Sequence, residues 1–119
     1  MVAPSAGAVV LVPFPFSDLS QAKLRPAIVL ADASRGDWIL CQVTSNPYGD
    51  TRAVPLRDPS FATGSLRTDS YARPAKLFTA HSELMVAQVA QLRPQSLLQI
   101  IEAVVAILRG APNGVEAGR

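Results

Sequence analysis

The residues best suited to chemistry lie near the start of the chain, where Arg25 directly precedes Pro26. Proline restricts the preceding residue to extended geometry, so the side chain of Arg25 leaves the backbone in a defined direction. A guanidinium offers a planar fork of donors that matches the oxygens of a phosphate group. The pattern therefore predicts a phosphate-binding arginine at the mouth of a strand. A loop arginine that only solvates a hairpin fits the same local pattern equally well.

Further polar side chains could act together with Arg25. Thr44 and Ser45 end an alternating run that Asn46 and Pro47 stop, which places a hydroxyl at a strand end. A threonine at a strand end is common, so this position alone does not establish a function. Three further cations could form a basic groove with Arg25, namely Lys23, Arg73 and Lys76. Asp18, in the polar stretch that precedes Lys23, is an acidic candidate.

The elements that must position these side chains are short strands. Residues 9–16 and 26–30 are β-rich apolar runs, and Pro13 and Pro15 predict that the first run breaks into an exposed loop. Alternation predicts a strand over residues 38–45, and shorter strands are expected over 51–56, 70–79 and 87–92, with an edge or a bulge at Pro74. We expect residues 60–69 to form a loop and a helical turn to follow His81. Many short strands before one helix predict an α+β protein with a small β-barrel.

A single amphipathic helix is predicted from Pro94, with Gly110 as its stop. Leu98 and Ile107 widen its apolar stripe to about half of the circumference. A small barrel covers only one face of a helix, so the width favours contact with a second subunit, although a wide groove within one subunit would serve as well. The stripe consists of Leu97, Ile100, Ile101, Val104, Val105 and Leu108.

Composition limits the class of protein. A chain of 119 residues forms one domain, expected over residues 1–110 with a disordered tail over 111–119. No run reaches the length of a membrane span, and the start lacks a secretory signal, so we expect a cytoplasmic protein. Cys41 alternates with core positions, and with one histidine, His81, no metal-ligand cluster is expected. The net charge is only +2. Nine arginines against two lysines would suit phosphate binding, but alanine is also abundant, so the base composition of the genome explains the excess of arginine at least as well.

Several segments, in order and at fitting spacing, resemble the MazF/PemK family of toxins from type II toxin–antitoxin systems. The resemblance implies an SH3-like barrel of the CcdB/MazF type with a C-terminal helix, and a homodimer. It implies a metal-independent endoribonuclease without a cofactor that cleaves single-stranded RNA, inhibited by an antitoxin with an acidic C-terminal segment. The matching segments are GAVV (7–10), FPFSD (14–18), KLRPAIVL (23–30), VTS (43–45) and SYARPAKLFT (70–79).

The resemblance also implies roles for individual residues. Arg25 would transfer protons and stabilise the phosphate, and Thr44 would bond the scissile phosphate. A guanidinium with a pKa above 12 is a poor general base, so only the phosphate role of Arg25 follows from first principles. The expected RNA-binding residues are Lys23, Ser45, Arg73, Lys76 and Asp18, and no residue is expected to bind metal.

Two departures from the family pattern keep other functions open. Many relatives have histidine where this chain has Leu24, and many have an acidic residue followed by glutamine on the strand that here carries Arg73 and Pro74. An acidic partner would then come from Asp69 or Asp18. A non-catalytic barrel that binds a peptide or RNA is one alternative. A gyrase poison on the same fold is another, but such poisons need a tryptophan near the C-terminus, and Trp38 is the only tryptophan here.

Overall fold

The computed structural model describes residues 3–15 and 22–110. Within these ranges seven antiparallel strands precede one α-helix, with single 3₁₀ turns at Asp58–Ser60 and Ser82–Leu84. The tail expected over 111–119 lies outside the described residues. The elements are β1 (Ala8–Pro15), β2 (Ala22–Ser34), β3 (Asp37–Thr44), β4 (Val54–Leu56), β5 (Phe61–Gly64), β6 (Ser70–His81), β7 (Ala87–Leu92) and α1 (Pro94–Leu108).

The described strands form one nearly closed antiparallel barrel in the order β4-β6-β3-β2-β1-β7-β5. The alternation predicted for β3 is confirmed, since Cys41 and Val43 pack in one apolar cluster and Leu40 in another on the opposite face. Ile100 and Val104 of α1 join the first cluster and close it against the barrel. The predicted α+β class and small barrel with a C-terminal helix are confirmed.

Strand β1 ends at Pro15, near the predicted break, and the loop expected after it lies outside the described residues. Pro13 pairs with Leu24 and Pro15 with Ala22, so both prolines belong to the hairpin with β2. The other neighbour of β1, strand β7, pairs only with the segment from Ala8 to Leu11. The proline half of β1 therefore lies at a free edge, where a missing backbone N–H leaves no ladder bond unmade. The prediction that Arg25 lies at a loop-to-strand junction is wrong, because β2 already begins at Ala22.

The bulge expected at Pro74 in β6 is confirmed. Cys41 of β3 pairs with Leu77, but its neighbour Gln42 pairs with Arg73, so the register of β6 shifts across Pro74. Pro74 itself is fully buried. The bulge lets a central strand accommodate proline because the extra residues fall outside the regular ladder.

Two other predictions for strands need correction. Residues 61–64, expected in a loop, form β5, which pairs with β7 rather than with its neighbours in the chain. Only Phe61 of β5 is buried, so the sequence carries no alternation. Strand β4 is shorter than predicted, because residues 51 and 52 form a turn in which Arg52 N donates to Asp50 Oδ1.

Helix α1 begins at Pro94 as predicted, and Gly110 follows its end with a positive φ of 78°. Ile100 and Val104 are buried, whereas Val105 and Leu108 are exposed. Leu97 and Ile101 are partly buried against the same core, so four of the six stripe residues pack inside the subunit and two remain on the surface. No helix in the described part of the chain is long and apolar enough to cross a membrane.

Candidate functional site

A cleft opens where strands β2 and β3 separate at one end of the barrel. Their ladder ends with Ala27 opposite Gln42, and the next residue of β2 is Pro26, which has no backbone N–H to continue it. The space between the separated strands encloses about 480 Å³. Arg25 and Pro26 line one side, and Val43, Thr44 and Ser45 line the other. The structure thus brings three of the predicted site residues, Arg25, Thr44 and Ser45, into one cleft.

The segment between β5 and β6 forms the remaining wall of this cleft. Gly64 at its start has a φ of 69°, and a Cβ there would collide with the carbonyl oxygen of Val89 on β7. At its other end the buried Ser70 hydroxyl donates to the Thr68 carbonyl at 2.9 Å. Both ends of the segment are therefore fixed against the barrel. It contributes Ser65, Leu66, Arg67, Thr68 and Ser70 to the lining.

Arg25 is half-buried. Its place before Pro26 at the mouth of a strand predicts a side chain largely exposed to solvent, and that prediction is wrong. It lies within β2, opposite Val12 of β1, so its backbone is held by a strand pair. Arg25 and Lys23 each have an interaction partner within the protein. The guanidinium is therefore presented from a rigid element, which suits a group that must hold an anion in a fixed position.

Thr44 is half-buried at the end of β3, and its hydroxyl is oriented by the chain that follows. The hydroxyl accepts from Asn46 N at 3.1 Å and donates to Asn46 O at 3.0 Å. These two bonds give Thr44 a structural role in the turn that follows β3. The hydroxyl oxygen has a second lone pair, so it can still accept one more hydrogen bond. Ser45 beside it is exposed in the same cleft.

Arg73 lies outside the cleft lining and forms an ion pair. Its Nε donates to Asp50 Oδ2 at 2.9 Å, with both side chains mostly buried. Burial would raise the pKa of the Asp50 carboxyl, but the bonds from Arg73 and Arg52 N, with both positive charges, hold that pKa below its usual value. The contact of Arg73 with RNA stays a prediction.

Cys41 is a core residue, as its alternation predicts. Burial raises the pKa of its thiol to about 12, with a smaller rise from the Asp50 charge, while a bond to the Arg73 backbone opposes both. The Sγ–H donates to the Arg73 carbonyl oxygen at 3.2 Å. A thiol that stays protonated at neutral pH is not a nucleophile.

Two further predicted RNA-binding residues, Lys23 and Lys76, are not part of the cleft lining. Lys23 and Lys76 are exposed on β2 and β6, where they add positive charge to the surface, and Asp18 lies outside the described residues. Leu24, which stands where many relatives have histidine, is also exposed and does not line the cleft. Their roles in binding stay predictions.

His81 serves the local turn that follows β6. Its Nδ1 accepts from Glu83 N at 3.1 Å, which caps the 3₁₀ turn and requires the neutral form of that nitrogen. Its ring also packs against Gly36 of the β2–β3 hairpin. Across residues 3–15 and 22–110 no group of three His, Cys, Asp or Glu side chains could hold a metal ion.

Sequence reasoning missed the contribution of Arg67. Its segment contains only small and polar residues around Leu66, which is the composition of an ordinary loop. Its position against the cleft follows from the pairing of β5 with β7, about 30 residues away in the chain. The only local signal is a cation within a run of hydroxyl side chains, which is too common to identify a site.

Solved structures with the same fold are MazF toxins and endoribonucleases. A MazE–MazF crystal structure from Deinococcus radiodurans superposes with a TM-score of 0.72 at 22% identity, covering 92% of this chain and 98% of that one. An endoribonuclease in complex with its cognate antitoxin from a mycobacterial species gives 0.66 at 16% identity, covering 94% and 98%. A further mycobacterial endoribonuclease gives 0.65 at 19%, covering 94% and 96%. At these identities the likeness concerns the fold alone.

The family assignment comes from the sequence itself. A search of curated protein sequences found no match. The model of the PemK-like, MazF-like toxins of type II toxin–antitoxin systems matches residues 5–108, which include every described strand and the helix. This chain therefore belongs to the PemK-like, MazF-like family of toxins of type II toxin–antitoxin systems.

Proposed function

We propose that this protein is an endoribonuclease toxin that cleaves single-stranded RNA without a metal ion. The observation that carries the proposal is the single cleft lined by Arg25, Thr44 and Arg67. Two arginines and several hydroxyl residues line one space of about 480 Å³, and no Asp or Glu of residues 3–15 and 22–110 lines it. Such a lining favours an anionic ligand. The endoribonucleases among the structural neighbours support the phosphate of RNA as this anion.

The reaction we propose is attack of a ribose 2′-hydroxyl on the adjacent phosphorus. A 2′-O–P bond forms, the P–O5′ bond breaks, and the 2′,3′-cyclic phosphate remains on one fragment. Arg25 and Arg67 stabilise the charge that develops on the non-bridging oxygens, and Ser45 donates a hydrogen bond to one of them. Thr44 positions the phosphate through its ordered hydroxyl. One proton leaves the 2′-oxygen and another is added to the 5′-oxygen. In this cleft either water or Arg25, the arginine that the family resemblance implies, transfers these protons.

Metal independence is proposed from the donor set. Divalent cations bind carboxylate, imidazole or thiolate groups, whereas the described residues that line the cleft offer guanidinium, hydroxyl and apolar side chains. The same lining favours a second candidate function, a barrel that binds RNA without cutting it. Histidine and carboxyl groups are the usual agents of proton transfer, and the part of the chain that the structure describes contributes none of them to the cleft.

We further propose a homodimer formed through an apolar groove between α1 and the barrel. Ile39 and Leu77 form its floor, and Val105 and Leu108 form its rim. Leu108 is 76% exposed, which leaves a large apolar side chain in water on the surface of one subunit. A second copy of the chain would bury this groove symmetrically, which explains why the helix stripe is wider than one barrel can cover.

The partner we propose is an antitoxin with an acidic C-terminal segment. Arg25 and Arg67 line the cleft, and two further cations, Lys23 on the strand of Arg25 and Lys76 on β6, are exposed. This positive charge attracts a flexible polyanion. Such a segment would order on binding and compete with RNA. The structural neighbours include a MazE–MazF structure and an endoribonuclease in complex with its cognate antitoxin. Because cellular RNA and an antitoxin would be met in the cytoplasm, we propose that the protein acts there.

The test is incubation of the purified protein with a mixed RNA in EDTA and, separately, in magnesium. Equal cutting in both, with 2′,3′-cyclic phosphate ends, is the expected result. Cutting that needs the divalent ion contradicts the proposed mechanism. Tight RNA binding without any cutting supports the second candidate, the non-catalytic barrel. RNA with a single ribose replaced by deoxyribose at the mapped cut must resist, since it lacks the attacking hydroxyl.

A further inference from the structure

A second cleft of about 440 Å³ lies beside the candidate active cleft. The two share one wall, the segment that carries Leu66, Arg67 and Thr68. The far wall of the second cleft is formed by Arg57 and Asp58. A strand of RNA whose phosphate lies in the first cleft would therefore have its neighbouring nucleotide beside the second.

The walls of the second cleft are held in place by the barrel. The 3₁₀ turn that contains Asp58 and Pro59 is tied to the start of α1, since Arg93 Nε donates to Pro59 O at 3.0 Å and Arg93 N to Ser60 O at 2.9 Å. Leu56 and Phe61 below are buried core residues. The cleft is therefore a preformed concavity over the core, and its exposed lining is mainly polar.

The charged side chains around this cleft are balanced but not paired with one another. Arg57 and Arg67 stand with Asp58 and Asp69 around one space. Among the residues that the structure describes, none of the four takes part in an ion pair. Their charges sum to zero, so the cleft has no net attraction for a second phosphate. It offers both hydrogen-bond donors and hydrogen-bond acceptors to a ligand.

We infer that the second cleft is a base-recognition subsite for a guanine next to the scissile phosphate, an inference that rests on the proposed function. Guanine presents two adjacent donors, N1–H and the 2-amino group, which match the two oxygens of one carboxylate. Its O6 and N7 accept the bidentate fork of an arginine. RNA bases in single strands are free to be read on both edges. Asp69 and Asp58 supply the acceptors, and Arg57 supplies the donors.

The arrangement assigns Arg67 a position between the two subsites. It lines both clefts, so its guanidinium can hold the phosphate that joins the nucleotide in the first cleft to the guanosine in the second. The base would then be read a fixed distance from the cut. Sequence preference thus arises from Arg57, Asp58 and Asp69, none of which lines the cleft that holds the scissile phosphate.

The test compares cut sites in a randomised RNA for wild type and for the double variant Asp58→Asn/Asp69→Asn. Wild type is expected to prefer guanine over adenine by about tenfold or more at one position next to the cut. The double variant is expected to lose that preference while still cutting. A matched control, Asp32→Asn/Glu102→Gln, removes two exposed carboxylates elsewhere and must keep the preference. Arg57→Gln should weaken the preference, and Arg35→Gln, at the β2–β3 turn, should not.

Inosine provides a second readout because it lacks only the 2-amino group. Inosine at the preferred position should slow cutting by wild type severalfold and leave the double variant unaffected. Absence of a guanine preference near the cut, or its survival in the double variant, overturns the base subsite and leaves the nuclease intact. Failure of wild type to cut or bind any RNA overturns the proposed function and this inference with it. Thermal midpoints establish that each variant is folded.

Discussion

Arg73 Nε lies 2.9 Å from Asp50 Oδ2, and this pair ties the loop after β3 to strand β6. The same loop begins with Thr44, whose hydroxyl bonds Asn46. Tyr48 and Gly49, at the tip, both have positive φ, and Asp50 N donates to Pro47 O at 2.8 Å, which closes a tight turn. Arg73, expected from the sequence to contact RNA, thus fixes the loop that orients a cleft residue.

We expect Asp50→Asn to lower the free energy of unfolding by about 1 kcal/mol at pH 7, because the pair is mostly buried but remains partly accessible to water. The folded-state pKa of Asp50 lies below its unfolded value. The stabilisation is therefore present above the unfolded pKa and is lost as the pH falls through the folded one. Urea unfolding of both proteins from pH 7 down to pH 3 should give curves that converge at the acid end. Asp32→Asn, at an exposed position, is the control, and a difference that does not shrink with acid would contradict the ion pair.

The sequence predicts the fold wherever a signal is local. The helix from Pro94 and the alternation in β3 depend on periodicities of neighbouring residues, and both are confirmed. Strand β5 was missed because only Phe61 is buried and its partner β7 is distant in the chain. The end of β1 near Pro15 agrees with the prediction, but the place of Pro13 inside the strand depends on a tertiary fact, namely that β7 pairs only with residues 8–11 of β1.

The residues of the candidate site likewise differ in whether a local sequence signal marks them. Arg25 and Thr44 are recognisable because the backbone around each carries a local mark, Pro26 in one case and a strand stop in the other. Arg67 has no such mark. It reaches the cleft through Gly64, whose missing Cβ allows the close approach to Val89, and this tertiary contact cannot be seen in the chain.

The thiol of Cys41 should be unreactive in the folded protein. Burial raises its pKa to about 12, so thiolate is a negligible fraction at neutral pH. We expect a disulfide reagent such as Ellman's reagent to leave Cys41 unmodified at pH 8 and to react at once after denaturation in guanidinium chloride. Because the pKa is raised, the rate of modification of the native protein should increase only as the pH approaches that value. Fast modification of the native protein would mean that the β3–β6 bulge opens readily.

The apolar groove on α1 should govern the oligomeric state. We expect light scattering to give about twice the chain mass of 12.6 kDa for wild type and one chain mass for Leu108→Glu, because a carboxylate in that contact would be buried without a partner. Leu84→Glu, at another exposed apolar residue outside this groove, is the matched control. A monomeric wild type refutes the dimer. Dissociation by Leu84→Glu and not by Leu108→Glu would place the interface on the opposite apolar face.

Arg25 is expected to matter far more for cleavage than for stability. Loss of one preorganised donor to the developing phosphate charge should lower the single-turnover rate of Arg25→Ala by roughly 10²–10³-fold. Arg25→Lys keeps the charge but loses the bidentate fork, so we expect it to restore little. Because the side chain is half-buried and has a partner, its removal should cost about 1 kcal/mol of stability at most.

The measurement for Arg25 pairs the thermal midpoint with the cleavage rate for each variant. Thr44→Ala belongs in the same series and should lower the rate less, since the hydroxyl positions the phosphate but carries no charge. Arg35→Gln, an exposed arginine at the β2–β3 turn, should change neither quantity. Near wild-type cutting by Arg25→Ala would show that the scissile phosphate does not bind in this cleft. Unfolding of Arg25→Ala, with Arg25→Lys folded and fully active, would make Arg25 a structural residue whose charge alone is needed.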